Sequence, residues 1–289
     1  MYFDNDYLVG SSDIYGIKGN WPSSATNLWV KPVYHVSAIG AIKVVDVPGP
    51  CGELFENVDP RQFTRLSARP LPLQVTTESS PWGRMLAALV NIGISIDSIG
   101  MFGSRRLSLA KVQLNQWKDT DFVVYGRNYH DLLHARINEF HEMALTSPIS
   151  EEHVEYQART HGSHYDARYN TLEICLQNKW SSCMIKSGIC STIRFVDETI
   201  LAPQMLPCRD APGKVIDFSG RVQNAAGASF IPRCFTVLDG DKIIRVVTLA
   251  WIFHQCVKDG DIVSIRGILV EPDLVILDSY SHGIRHISN

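Results

Sequence analysis

No apolar run in this chain reaches the roughly 18–20 residues that a membrane-crossing helix needs, so no membrane partner is expected. The opening Met1-Tyr2-Phe3-Asp4-Asn5-Asp6 is acidic, without the basic and apolar regions of a secretory signal. Cys-x-x-Cys is also missing. The seven cysteines (Cys51, Cys175, Cys183, Cys190, Cys208, Cys234 and Cys256) are odd in number and widely spaced, which excludes a zinc ribbon or a disulfide scaffold. A reduced cytoplasmic setting is the expectation. A basic excess is lacking too: 27 Lys and Arg against 30 Asp and Glu give a net charge of −3. That balance argues against strong nonspecific nucleic-acid binding and leaves room only for a local basic patch.

What is present is an ordinary globular composition, 45% hydrophobic and 20% charged over 289 residues, a length that suggests about two domains. Residues 1–80 read as a β-rich region, with strands at Val33–Val36 and Ala41–Val47 between clusters of Gly, Pro, Ser and Asn. Ser80 before Pro81 starts a helix through Met85, Leu86, Leu89 and Val90 that stops near Gly93. A second helix is expected from Tyr129 to about Leu145, a mostly helical stretch from Glu151 to Trp180, and a strand around Ile189–Val196. Helix and strand thus alternate through residues 81–204. Pro203, Pro207, Pro212 and Gly213 mark a boundary, beyond which residues 205–289 hold five short strands separated by Asp-Gly and Pro-Asp turns. Five strands in so short a span suggest a small closed or half-closed barrel of the OB type.

The most informative stretch lies in the middle. Ser98-Ile99-Gly100-Met101-Phe102 leads into Gly103-Ser104, and after a polar spacer Asp119-Thr120-Asp121 heads the run Phe122-Val123-Val124-Tyr125-Gly126. Carboxylates at i and i+2 of a strand point the same way. A Gly-Ser turn into a helix offers backbone N–H groups and a hydroxyl to phosphate. Oxygen ligands for a hard divalent cation beside a phosphate cradle are what nucleotidyl transfer requires.

This pattern resembles the DNA polymerase beta superfamily of nucleotidyltransferases, and within it a predicted archaeal-type group. Lys179-Trp180 and Ile193-Arg194-Phe195-Val196 resemble further segments of that group. The resemblance implies an α+β fold: a β-rich region over 1–80, a nucleotidyltransferase-like α/β core over 81–204 and an OB-like β-barrel over 205–289. It also implies Asp119 and Asp121 as catalytic Mg²⁺ ligands, with Gly103, Ser104, Arg105 and Arg106 on the phosphates of a nucleoside triphosphate. The acceptor would be a hydroxyl of RNA or of a protein partner. Two features depart from the family. The spacer from Ser104 to Asp119 is long and carries Arg105-Arg106 and Trp117-Lys118. The strand Ser191–Val196 holds no acid where the family has a third carboxylate, and Thr192 stands there instead. The alternative is therefore a catalytically degenerate nucleotide- or nucleic-acid-binding subunit of a larger assembly.

Other candidates have plainer readings. His130/His134, His161/His164 and His282/His286 have ligand-like spacings but no third ligand, and are expected to be surface or packing histidines. Phe218, Phe230, Phe235, Trp251, Phe253 and Tyr280 are set to stack single-stranded bases or to pack the barrel core. Core packing is the expectation for most of them.

Overall fold

A computed structural model of the chain describes residues 1–37, 40–43, 56–72, 75, 80–112, 120–162, 179–185, 188–201, 213–250, 253–277 and 281–287. Its contacts fall into two units. The first comprises Met1–Val45, Glu56–Ile149 and Trp180–Thr199; the second comprises Asp46–Phe55, Ser150–Lys179 and Ile200–Asn289. Helix and strand are mixed throughout, an α+β protein.

Six amino-terminal strands, β1 (Tyr7–Val9), β2 (Asp13–Ile17), β3 (Leu28–Ser37), β4 (Gly40–Lys43), β5 (Glu56–Val58) and β6 (Thr64–Leu66), make an antiparallel sheet in the order β4-β3-β2-β1-β6, with β5 on β3. The strands expected at Val33–Val36 and Ala41–Val47 fall on β3 and β4, residues 44–47 lying outside the described residues. Pro32 interrupts β3 because it has no N–H to donate. The register shifts there, with Ile14 opposite Tyr34 and Tyr15 opposite Pro32.

The helix α1 (Pro81–Ile92) begins as its sequence directs. Ser80 caps it by accepting the Gly83 N–H at 3.2 Å, Pro81 takes the first turn, and Gly93 ends it. After α1 come β7 (Ile99–Phe102), α2 (Gly103–Leu109), β8 (Asp121–Tyr125), α3 (Arg127–Ala135), α4 (Ile137–Ala144), β9 (Thr146–Pro148), β10 (Ser182–Ile185) and β11 (Cys190–Val196). The five strands form a second sheet, β7-β8-β11-β10-β9, in which β8 and β11 run parallel and the other pairs antiparallel.

The single helix expected from Tyr129 to Leu145 is two. Arg136 leaves helical geometry at φ −118°, ψ 24°, and its guanidinium explains the break. Nη1 donates to the Ile92 carbonyl at 2.6 Å, satisfying an acceptor at the end of α1, while Nε and Nη2 hold Glu139.

The period of two assigns the faces of this sheet. Asp121, Val123 and Tyr125 of β8 share a face with Arg194 and Val196 of β11. Val123, Tyr125 and Val196 there join Tyr7, Ile14 and Tyr34 of the amino-terminal sheet in one buried cluster. On the opposite face Phe195 meets His130 of α3, with ring centroids 5.0 Å apart. α1 buries Met85, Leu86, Leu89 and Ile92 and packs on α4. The central sheet is thus sandwiched between helices and a second sheet, and Asp121 opens toward the latter.

In the second unit α5 (Glu151–Gly162) precedes β12 (Lys214–Gly227), β13 (Arg233–Asp239), β14 (Lys242–Thr248), β15 (Ile262–Glu271), β16 (Leu274–Ile276) and β17 (Gly283–His286). The run β12-β13-β14-β16-β15 closes because β12 also pairs with β15, giving a five-stranded barrel with β17 added on β15. The 14 residues of β12 serve two neighbours. Lys214–Arg221 faces β15, and the segment after it faces β13 through two register shifts that bend the strand around the barrel.

Candidate functional site

Two members of the expected motif, Gly103 and Asp121, meet at the end of β7. Phe102 lies opposite Asp121 in the β7–β8 ladder, so the Gly-Ser turn leaves the sheet beside that carboxylate. Gly103 sits at φ +81°, and a Cβ on it would lie 3.0 Å from Asp121 Oδ2. From the other side Asp121 Oδ1 accepts the backbone N–H of Thr192 at 2.9 Å. The carboxylate is therefore fixed between the turn after β7 and the adjacent strand β11, half-buried rather than solvated. Asp119 and the spacer residues 113–118 lie outside the described residues.

Ser104 is half-buried at the start of α2. The two arginines after it reach in different directions. Arg105 lies over the Trp82 ring, 5.5 Å from its centroid. Arg106 donates through Nε and Nη2 to the Ser67 carbonyl at 2.9 and 2.7 Å, and burial lowers its pKa from the ordinary value. Arg106 therefore braces the segment after β6, and phosphate contact would require it to leave that carbonyl.

Position 192 on β11 carries Thr192, whose Oγ1 lies 3.5 Å from Ser182 Oγ. The two acids that follow the strand are engaged elsewhere. Asp197 accepts the backbone N–H and the hydroxyl of Thr199 at 3.0 and 2.6 Å, and Glu198 pairs with Arg69. Among the described residues no group of three His, Cys, Asp or Glu side chains converges in metal-holding geometry.

Two participants had no signal in local sequence. Tyr7 reaches from β1 to the motif, where its hydroxyl oxygen accepts the Gly103 N–H at 2.7 Å. Burial pushes its phenol pKa above the ordinary value, so the hydroxyl stays neutral. The acidic opening residues are also structural. Asp6, fully buried, accepts from Arg65, Ser67 Oγ and the N–H groups of Phe3 and Ala68. Asp4 accepts from the Gly19 N–H and from Asn5 Nδ2. These contacts tie residues 1–20 to the 65–69 segment, and Ala68 O in turn accepts the Met101 N–H at 2.9 Å on the outer side of β7.

The remaining candidates separate cleanly. His130 and His134 stack at 6.3 Å and pack on Trp180, His130 with a pKa lowered by burial. His164 lies outside the described residues, as do Trp251 and Tyr280. Phe230, Phe235 and Phe253 are buried in the second unit as core residues, whereas Phe218 is half-buried on β12. Burial raises the Cys183 thiol to about 12, which makes it an inert packing group. Among the described residues no helix is long and apolar enough to cross a membrane.

Searches against protein-family models, curated proteins and solved structures match nothing to this chain.

Proposed function

We propose that the chain is a nucleotidyltransferase-type protein that binds a nucleoside triphosphate with Mg²⁺ on the Asp121 face of the central sheet. It would transfer the nucleotidyl group to a hydroxyl of RNA or of a protein. The observation that carries this reading is the packing of a positive-φ glycine against a strand carboxylate. Gly103 and Asp121 are 18 residues apart in sequence, yet the ladder between Phe102 and Asp121 brings them together, which supports a phosphate cradle beside a metal ligand. Carboxylate and hydroxyl oxygens are the donors a hard divalent cation prefers, so the residues present suit Mg²⁺. Asp119 and Asp121 would hold it, and when bound it neutralises phosphate charge and aligns in-line attack. Ser104 and the backbone at Gly103 would orient the phosphates. The succession α1-β7-α2-β8-α3 ahead of the parallel strand β11 supports such a core. In the second unit, the closure β12-β13-β14-β16-β15-β12 with β14 and β16 parallel supports an OB-like barrel.

Thr192 favours a second reading. The third strand offers Asp121 a backbone N–H where the family places a third acid, which suits a subunit that binds nucleotide without turnover. One experiment separates the two. Each nucleoside triphosphate is titrated with Mg²⁺ into wild type and an Asp119→Ala/Asp121→Ala variant, and α-labelled nucleotide is offered with RNA and protein acceptors. Binding and labelling by wild type alone support transfer. Binding by wild type without labelling supports the second reading. Equal binding in both proteins, or none, sinks the nucleotide site.

A further inference from the structure

We infer that Arg194 is an anion-binding residue of this same face, taking a phosphate of the ligand and supplying positive charge where the third acid is missing. The inference rests on the nucleotide-site reading for its ligand but on separate observations for its geometry. Arg194 stands two residues beyond Thr192 on β11, so strand alternation puts both on the Asp121 side of the sheet. Its guanidinium carbon lies 4.5 Å from the centroid of the Phe102 ring on β7. β8 is the strand between β11 and β7, so the side chain crosses β8 on the face that holds Asp121 and Val123. The head group thus ends beside the residue that precedes Gly103.

What holds it there is neutral. Nη1 donates to Asn5 Oδ1 at 2.8 Å, with Asn5 itself at φ 70°, and the Phe102 ring supplies a cation–π contact. Among the described residues no carboxylate pairs with Arg194. The neighbouring arginines differ: Arg65 pairs with Asp6 at 2.5 Å and Arg69 with Glu198. A half-buried guanidinium that is oriented by neutral groups keeps its remaining donors for a ligand. The planar fork matches phosphate oxygens bidentately. Thr192 in place of an acid fits the same account, because a carboxylate at that position would compete for the fork.

The test compares wild type, Arg194→Gln, Arg194→Lys and Asp121→Asn, each first checked for folding by circular dichroism and thermal melting. Calorimetry then measures binding of sodium tripolyphosphate without metal, and of a non-hydrolysable nucleoside triphosphate with Mg²⁺. A charged hydrogen bond of ordinary strength predicts that Arg194→Gln weakens both ligands by about 10- to 100-fold. Arg194→Lys should fall between, since it keeps the charge and loses the fork. Wild-type and Arg194→Gln proteins binding both ligands equally would overturn the assignment while leaving the nucleotide site standing. Tripolyphosphate binding that depends on Arg194, with the nucleotide bound no tighter and Asp121→Asn without effect, would retain the anion site and overturn the nucleotide reading. No binding of either ligand by wild type overturns both. A purely structural role would lower the melting temperature of Arg194→Gln and leave its affinities unchanged.

Discussion

Gly103 is where backbone conformation and site chemistry meet in one residue. Its positive φ costs a residue with a Cβ about 1–2 kcal/mol, and the added carbon would also press on Asp121 Oδ2 at 3.0 Å. Gly188 provides an internal comparison, since it has φ +78° but nothing within 4 Å of the place a Cβ would take. Gly188→Ala should therefore lose only the conformational part, while Gly103→Ala should lose more and displace the carboxylate. Urea unfolding of both variants checks this. A Gly103→Ala midpoint no lower than that of Gly188→Ala would mean that Asp121 moves away freely and that the contact is incidental. Tyr7 belongs to the same argument at longer range. Its hydroxyl occupies the Gly103 N–H, so a phosphate oxygen seeking that donor must replace a phenol oxygen already in place.

At the level of elements, the pair α3–α4 carries the histidines. His130 is pressed against Trp180 and Phe195, and desolvation lowers its pKa despite the opposing hydrogen bond to Asp131. His141 on α4 is lowered by burial as well. A group whose pKa is lower in the folded chain binds fewer protons there than in the unfolded chain. Its contribution to stability is complete above the unfolded value of about 6.5 and is lost as pH falls through the folded value. The urea midpoint should accordingly drop between pH 7 and pH 5, and His130→Gln should flatten that dependence. An unchanged pH slope in His130→Gln would show that His130 binds its proton equally well in the folded and unfolded chains, and would overturn the assignment. These elements also mark how far sequence reading carries. The limits of α1 follow from Ser80, Pro81 and Gly93 because caps act within a turn or two. The barrel strands follow from alternation and Asp-Gly turns for the same local reason. The break at Arg136 was hidden because its cause is a carbonyl 44 residues away, and the structural use of Asp6 was hidden because its donors other than Phe3 stand 59 to 62 residues away. Gly103, Ser104 and Asp121 were visible as a motif. Tyr7 was not, because a tyrosine in a short strand carries no mark of what it will face.

Across the whole molecule the charge pattern bears on the acceptor. The chain carries a net charge of −3, and the barrel's described arginines are largely committed. Arg266 pairs with Asp217 at 2.6 Å, Arg245 lies 3.7 Å from Glu271, and Arg233 is buried, donating to the Leu249 carbonyl. Phe230, Phe235 and Phe253 fill the interior, so stacking platforms are scarce on the described barrel surface. A protein that tracks single-stranded nucleic acid through many phosphate contacts would release counterions and show a salt slope of roughly −0.7 per contact. The full chain, titrated with a labelled single-stranded oligonucleotide at several salt concentrations, should instead bind no tighter than about 10⁻⁴–10⁻⁶ M and with a shallow slope. That outcome would direct the search for an acceptor toward protein hydroxyls. A slope equivalent to six or more phosphate contacts would place RNA first, and Arg221 on the exposed part of β12 would then be the residue to substitute.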